Sequence, residues 1–465
     1  MIDVSFQQDQ FEVVPTLVQP ALVDVLKTRV KSDMKTSSSP LVLPPVHTLP
    51  IHEMLQAQHQ SFDPESEDAE AENAFFVADL GEVYRQHLRW KALLPRIEPF
   101  FAMKCNPDPM VLRLLASLGV GFDCASKNEI QTVLDLGTVH PNRIIYANPC
   151  KQNAFVQYAR RNSVMMMTFD NAEELHKIKR FHPDAHLVLR ILTDDSKSLC
   201  KLGLKFGAPL DTTGYLLATA RELGLNVIGV SFHVGSGCFD ANAFGEAVVR
   251  ARRVFDQATE HGYHFRFLDV GGGFPSAHVT DGITFEKVAA ILGSTVDALF
   301  GPEVRVIAEP GRYYVGSAFT LATQVIARRT IVHDVAAQDK EEEEGKEDKE
   351  QPAHMYYIND GMYGSFNCIM FDHQVCEPQV LLKDGAFAYK QEVDGERGMA
   401  SVWGPTCDSI DCISTRARLP LMETGDWMYF ENMGAYTITA ASQFNGFRRS
   451  EVLYTTTEPE VVLHL

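Results

Sequence analysis

Between residues 74 and 317, short runs of β-branched and aromatic residues alternate with stretches whose apolar positions recur every three or four residues, the pattern of βα units with parallel strands. Eight candidate strands end near Lys104 (EPFFAMK), Asp123 (VGFD), Asn148 (RIIYAN), Phe169 (VMMMTF), Arg190 (HLVLR), His233 (VIGVSFH), Gly271 (FRFLDVG) and Glu309 (VRVIAE). The helix after Lys104 puts Met110, Val111, Leu114, Leu115 and Leu118 on one face and stops at Gly119. Ser126-Lys-Asn-Glu129 and Asp170-Asn-Ala-Glu173 fit the capping box, in which side chains satisfy the free amide donors of a helix start. Eight such units in about 230 residues predict a closed TIM (β/α)8 barrel with its site at the C-terminal strand ends. An open doubly wound sheet, with fewer units and one switch point, ranks second.

Beyond Ser317 the long helical patterns give way to strands: FTLATQVIARRTIV, HMYYIN, PQVLLKD, AFAYKQEV, ASVWG, DWMYFE and EVLYTTT. The expected architecture is therefore α/β plus β: a partly ordered extension over 1–73, the barrel over 74–317 and a C-terminal, mainly β domain over 318–465. Within the last, a flexible acidic insert is expected at 338–351, where DKEEEEGKEDKE crowds eight acids among three lysines and like charges repel.

A length of 465 residues agrees with two domains. The formal net charge of −19 makes nucleic acid and anionic membrane poor partners and favours a cationic or zwitterionic ligand. Nine cysteines without CxxC pairs point to a reducing compartment. The start MIDVSFQQDQ lacks the basic and apolar regions of a secretory signal, and no apolar run is long enough to span a membrane, so a cytosolic location is expected.

The strand ends carry the chemistry. Lys104 closes an apolar strand; a lysine surrounded there by apolar residues is desolvated enough to lose its proton and attack an aldehyde, whereas an isolated one is commonly ion-paired or snorkelling. Gly271, Gly272 and Gly273 (DVGGGFP) let backbone amides approach a phosphate, or form only a tight turn. Neither a GxGxxG nor a GxxxxGK[ST] fingerprint is present. Glu309-Pro-Gly311-Arg312 stands where barrels bind phosphate, and its carboxylate either faces a ring nitrogen or pairs with the arginine. His233, close to Ser236, is a base, a metal ligand or a flat surface beneath a ring; with no second His or Cys at zinc-like spacing, metal catalysis is not expected. In the second domain, Cys407 is a thiol able to protonate a carbanion, and Asp372 and Asp408 are carboxylates able to hold an ammonium, unless all three are ordinary buried or surface groups.

Taken together, FFAMKCN, GVGFDCASKNEI, SFHVGSGC, DVGGGFP, AEPGRYYV, NDGMYGSFNCIMFDH, VWGPTCDSIDCI and FENMGAYTITAASQFNGF resemble the ornithine decarboxylases, in the alanine-racemase-like fold class of pyridoxal-phosphate enzymes. The resemblance runs from about residue 74 to the end of the chain. It implies that Lys104 carries pyridoxal 5′-phosphate, that Glu309 pairs with the pyridine nitrogen and that His233 stacks on the ring. Ser236, Gly271, Gly272, Gly273, Gly311, Arg312 and Tyr436 are implied as the cofactor's phosphate-end neighbours, with Asp123, Glu129 and Arg190 at further active-site positions. It further implies a homodimer with shared sites, in which Cys407, Asp408 and Asp372 come from the second subunit and Phe371 lies next to Asp372. Cys407 then protonates the substrate carbanion, the two aspartates lie near its distal amine, and Lys205 pairs with Asp411 across the interface. The implied reaction is decarboxylation of L-ornithine to putrescine and CO2, the first step of polyamine biosynthesis, with an antizyme as a regulatory partner.

The chain departs from that pattern in places. Phe371 stands where many relatives carry tyrosine, the N-terminal extension and acidic insert exceed those of the animal proteins, and the chain closes on VVLHL without a long degradation tail. Two other functions stay open: decarboxylation of another basic amino acid such as lysine, and a non-catalytic binding role like that of the antizyme inhibitors. Retention of Lys104, Glu309 and Cys407 argues against the second.

Overall fold

The computed structural model describes residues 43–61, 72–276, 283–331 and 351–465. The acidic insert up to residue 350 and the extension at 1–42 and 62–71 lie outside the described residues.

Eight parallel strands close into a barrel: Ile97–Ala102, Gly121–Cys124, Ile144–Tyr146, Met166–Phe169, His186–Arg190, Asn226–Ser231, Phe267–Asp269 and Arg305–Ala308. The last returns to the first, with Val306 opposite Ile97 and Ile307 opposite Glu98. Phe100, Ile145, Met166, Val188, Phe267 and Ile307 pack together as one buried cluster of the barrel, so it is a solid core and not a pore. The helices that follow the strands are fixed by their ends. Asp108 caps Pro109–Ser117 by accepting from the amides of Met110 and Val111, and Gly119 at φ +78° follows that helix. Ser126 accepts from the Glu129 amide at 3.2 Å, while the Glu129 carboxylate returns to the Ala125 amide at 2.5 Å. The box expected at Asp170 is displaced by one residue: Asn171 is the cap and accepts from the Glu174 amide, and Asp170 accepts from the Gly207 amide at 2.9 Å.

The second sheet is organised on the long strand Phe319–Thr330, which pairs antiparallel with Phe75–Asp79, Trp427–Phe430 and His354–Ile358. Phe75–Asp79, expected at the start of the barrel region, is thus a strand of this sheet and lies outside the closed barrel. All five of its residues are buried, and a continuous apolar run does not reveal which sheet it joins. Val46–His47 adds beside Glu451–Thr455, and helix Ile51–Ser61 sends Met54 and Leu55 into a core with Trp427 and Tyr429. This stretch of the extension expected to be partly ordered is folded onto the sheet. Cys412–Pro420, not expected as a strand, pairs antiparallel with Arg397–Trp403 at the end of the sheet; its interleaved Ser, Thr and Arg hide the apolar signal. Among the described residues, no helix is long and apolar enough to cross a membrane.

Candidate active site

Lys104 sits on a single 3-10 turn, Met103–Cys105, directly after the first barrel strand, with Met103 and Cys105 buried on either side. That turn aims its Nζ at Asp123 Oδ2, 2.8 Å away at the end of the next strand and only 2% exposed. The lysine is not in the apolar, proton-losing setting expected from the sequence. Burial does disfavour the ammonium, but Asp123, then Tyr436 and Glu309, favour it more and hold Lys104 above its usual value. A carboxylate at contact distance outweighs desolvation.

The glycine turn packs against the segment that follows the sixth strand. Gly271 (φ +64°) and Gly273 (φ +101°) occupy left-handed backbone, and a Cβ on them would lie 2.1 Å from Phe232 O and 2.6 Å from Gly235 O. A Cβ on Gly272 would lie 2.8 Å from His233 Nε2. The tight turn and the close approach are one feature. His233 accepts the Gly235 amide at Nδ1 (2.9 Å), which places the proton of the neutral ring on Nε2. Burial, then the charges of Arg190 and Lys104, push His233 well below the ordinary histidine range, so it offers a neutral flat ring and not a cation.

Glu309 is tied in place by its own amide, which donates to Gly271 O at 2.6 Å. Burial, then the neighbouring acids Asp269 and Asp123, raise its carboxyl well above the usual range. Arg312, at the start of the short helix Arg312–Val315, holds Nη2 2.6 Å from both Asp372 oxygens and 3.3 Å from Ser236 Oγ. Its guanidinium carbon lies 5.3 Å from the centre of the Tyr436 ring. Tyr436, at φ +58°, donates its amide to Cys105 O at 2.9 Å, which pins the second sheet to the lysine turn.

Lys104, His233, Ser236, Gly273, Glu309, Gly311, Arg312 and Tyr436 line one cavity, with Ala102, Gly237 and Phe274. Other expected residues stand apart from this lining. Asp123 acts through Lys104; Glu129 is engaged in its helix cap; Arg190 lies with its guanidinium 5.1 Å from the Phe206 ring. Cys407 and Asp408 sit on the loop between Arg397–Trp403 and Cys412–Pro420, where Cys407 is exposed and its amide donates to Asn445 Oδ1 at 3.1 Å. Asp408 accepts from the Tyr363 hydroxyl at 2.5 Å, and Tyr363 stacks on Phe444 at 4.2 Å. Asp411 is 1% exposed and bonded inside the chain to the Met362 amide and to the amide and hydroxyl of Thr406. Lys205 Nζ lies 5.0 Å from the Phe206 ring centre.

Asp372 corrects an expectation. Placed in the partner's half of the site by the sequence reading, it instead follows the short helix Asn367–Phe371 and reaches Arg312 of its own barrel. Phe371 beside it is 64% exposed. Two residues escaped the sequence reading: Cys200, whose Sγ is 3.9 Å from Asp372 Oδ1, and the fully buried Asp269. The second was within reach, as the residue two before the glycines.

A lysine, a neutral flat histidine, a buried carboxyl and an arginine–serine corner beside a glycine turn suit a ring with an aldehyde on one edge, a nitrogen on another and an anionic phosphate arm. The residues present fit pyridoxal phosphate, and the barrel with its appended sheet defines the class of barrel-type pyridoxal-phosphate enzymes. Residues 80–316 match the family described as pyridoxal-dependent decarboxylase, pyridoxal binding domain. The chain is 52% identical over 387 residues to ornithine decarboxylase of Schizosaccharomyces pombe, covering 83% of this chain and 84% of that protein. It is 50% identical to the Mus musculus ornithine decarboxylase (85% and 83% covered) and 52% identical to antizyme inhibitor 2 of Xenopus laevis (84% and 82%). Among solved structures it resembles the arginine decarboxylase of Paramecium bursaria Chlorella virus bound to agmatine, at TM-score 0.76 and 32% identity over 87% of this chain and 100% of that one. It also resembles the lysine/ornithine decarboxylase of Vibrio vulnificus complexed with cadaverine, at TM-score 0.73 and 28% identity (87% and 98% covered). The chain belongs to the pyridoxal-dependent decarboxylases, and its cofactor is pyridoxal phosphate.

Proposed function

We propose that this protein decarboxylates L-ornithine to putrescine and CO2, as a cytosolic homodimer whose two sites are each completed by the other subunit. The observation that carries the substrate is the 52% identity to an ornithine decarboxylase over 83% of the chain, with Lys104, Glu309, Arg312 and Gly273 of the glycine turn converging in one cavity. Shared sites are supported by the position of Cys407, which is exposed, and of Asp408 beside it on a braced loop, both absent from the lining of the Lys104 cavity.

Bound pyridoxal phosphate supplies an electron sink for the pair left at Cα when the carboxylate departs. The chain's own groups do the rest. Asp123 Oδ2 orients Lys104 Nζ at the top of the barrel, where the amine would carry the cofactor. Arg312, Ser236 and the amides of Gly272 and Gly273 would take the phosphate, His233 would present its neutral face to the ring, and Glu309 would meet the ring nitrogen. Asp372 on one subunit and Asp408 on the other hold the distal ammonium, and the Cys407 thiol returns a proton to Cα.

A second reading has a specific basis in the identity to antizyme inhibitor 2: a binding protein without turnover. Release of CO2 from a panel of ornithine, lysine and arginine separates the two. Ornithine is expected to be turned over fastest; no release from any substrate, in protein that retains no cofactor absorbance, establishes the binding role instead.

A further inference from the structure

Two thiols that the mechanism above does not use stand in contact beside Asp372. Cys368, fully buried in the short helix Asn367–Phe371, and Cys376, 6% exposed, hold their sulfurs 3.8 Å apart. Each has an acceptor for its proton on another side: Ser365 O lies 3.7 Å from Cys368 Sγ, and Met433 Sδ lies 3.7 Å from Cys376 Sγ. The two sulfurs can therefore face each other with no proton between them. One of them is fixed, because Asn367 anchors its helix by donating to Gly364 O at 2.6 Å and to Thr437 O at 2.7 Å. The stretch that joins the cysteines is the part able to give: Met370, Phe371 and Val375 are exposed, and His373 holds left-handed backbone at φ +55°. Within it, the Asp372 and Gln374 amides both donate to Cys368 O, at 3.0 and 3.2 Å. Asp372, Gln374, Val375 and Glu377 line a cavity with Arg312, which brings small solutes up to the stretch that carries Cys376.

We propose that Cys368 and Cys376 are a site of reversible disulfide formation by hydrogen peroxide, and that closing it displaces Asp372 and loosens the hold on the substrate's distal ammonium. The second half rests on the assignment of Asp372 to that ammonium under the proposed function. Cys376 Sγ attacks one peroxide oxygen; the O–O bond breaks, and the departing hydroxide takes the thiol proton as water, leaving a sulfenic acid. Cys368 Sγ then displaces that hydroxyl, which leaves with the Cys368 proton as a second water. Two thiols lose two electrons and two protons, and one peroxide becomes two waters. The order follows from position. Cys376 is at the rim, whereas the hydrogen bond between the two thiols, then burial, push the Cys368 thiol far up, so it serves as the resolving partner. A disulfide needs about 2.05 Å between its sulfurs, so closure from 3.8 Å is a movement of roughly 1.8 Å. With Cys368 anchored, Cys376 and residues 369–375 take up that movement, and the contact of Asp372 with Arg312 at 2.6 Å leaves little slack.

The first test needs no activity. Reduced wild type and Cys376→Ala are treated with hydrogen peroxide, the remaining thiols are blocked, and the denatured chains are cut with chymotrypsin after Phe371, which lies between the two cysteines. The fragments carrying Cys368 and Cys376 are expected to stay joined in wild type until a dithiol reductant is added. Separate fragments, with oxygen added to Met433 or to Cys376 alone, overturn the site. In turnover assays, the oxidised wild type is expected to show a KM for ornithine about fivefold above that of the reduced form, a partial loss of one hydrogen bond to a charged group. The reductant restores it, and Cys376→Ala keeps the KM of reduced wild type under the same treatment. Oxidation of the exposed Cys407 lowers kcat in both proteins alike, so KM is the quantity that separates the two events. A joined pair with an unchanged KM overturns the displacement of Asp372. Should Cys376→Ala fail to fold, the joined fragments of wild type and the return of its KM under reductant decide the same question. Absence of turnover in the reduced protein would reject the proposed decarboxylation and leave the mapped disulfide standing. The displacement of Asp372 from Arg312 is then read from a fluorescence titration, where an unchanged pyridoxal-phosphate affinity on oxidation overturns it.

Discussion

Asp372 sets both carboxylate oxygens 2.6 Å from Nη2 of Arg312, the guanidinium that also lies 3.3 Å from Ser236 Oγ. The two groups come from different layers of the molecule, Arg312 from the top of the barrel and Asp372 from the end of Asn367–Phe371. Burial raises Asp372, and Arg312 opposes that by charge and hydrogen bonding. A carboxylate on this guanidinium is an anion where the phosphate arm is proposed to bind, so the two compete. Asp372→Asn is therefore expected to tighten pyridoxal-phosphate binding several-fold in a fluorescence titration. The same change removes a partner of the distal ammonium and should raise the KM for ornithine at least tenfold, about 1.4 kcal/mol, with a smaller effect on kcat. An unchanged KM would remove Asp372 from the substrate.

The glycine turn predicts a graded result. Alanine at 271 puts a Cβ 2.1 Å from a backbone oxygen in left-handed backbone, whereas alanine at Gly119, also left-handed at φ +78°, meets nothing within 4 Å. Gly119→Ala should cost about 1 kcal/mol from backbone strain alone. Gly271→Ala should cost roughly 3 kcal/mol or more and lose cofactor, because the main chain must shift away from Phe232. Thermal unfolding with and without pyridoxal phosphate measures both; equal losses would mean that the turn tolerates displacement.

If the sites are shared, Lys104→Ala and Cys407→Ala should each abolish or strongly depress turnover for different reasons. The first removes the amine that carries the cofactor, so borohydride no longer fixes pyridoxal phosphate to the chain. The second leaves cofactor binding intact. Mixing the two inactive variants under exchange conditions should restore about a quarter of wild-type activity, since half of the dimers are hybrids with one intact site each. No recovery in demonstrated hybrids would place the whole site within one chain.

The barrel was legible because five of its eight strand tops carry a change of chemistry: Lys104, Asp123, His233, the 271–273 glycines and Glu309 each interrupt an apolar run at the point where a parallel strand must end. Phe75–Asp79 was assigned to the barrel region because burial on both faces erases alternation, and only its partners Phe319–Ala322 and Glu451–Thr455 reveal its sheet. In the site, motifs that share a strand end were readable, but contacts across layers were not. Nothing local says that Asp372 returns to Arg312, sixty positions away. The charge of Lys104 was misjudged for the same reason: its partner Asp123 lies on a neighbouring strand, nineteen positions on.

Opposite pH signatures are expected at the two ends of the barrel. At its base, burial works against the Glu98 carboxylate, but hydrogen bonds and charges from Arg305 and Arg143 prevail and lower it to about 2. A depressed carboxyl stabilises the fold above its unfolded value of 4.5, and that contribution disappears as pH falls toward 2. Asp269 is the reverse: raised from 3.8 to about 7, it contributes fully below 3.8 and loses its contribution as pH rises through 7. Glu98→Gln should therefore destabilise near neutrality, by about 1 kcal/mol or less because the pair is partly exposed and screened, and have little effect at the acid end of that window. Asp269→Asn should flatten the decline of stability across 7. Denaturant unfolding of the unliganded variants at paired pH values reads both slopes, and parallel curves for wild type and Asp269→Asn across 7 would contradict the raised, buried carboxyl of Asp269.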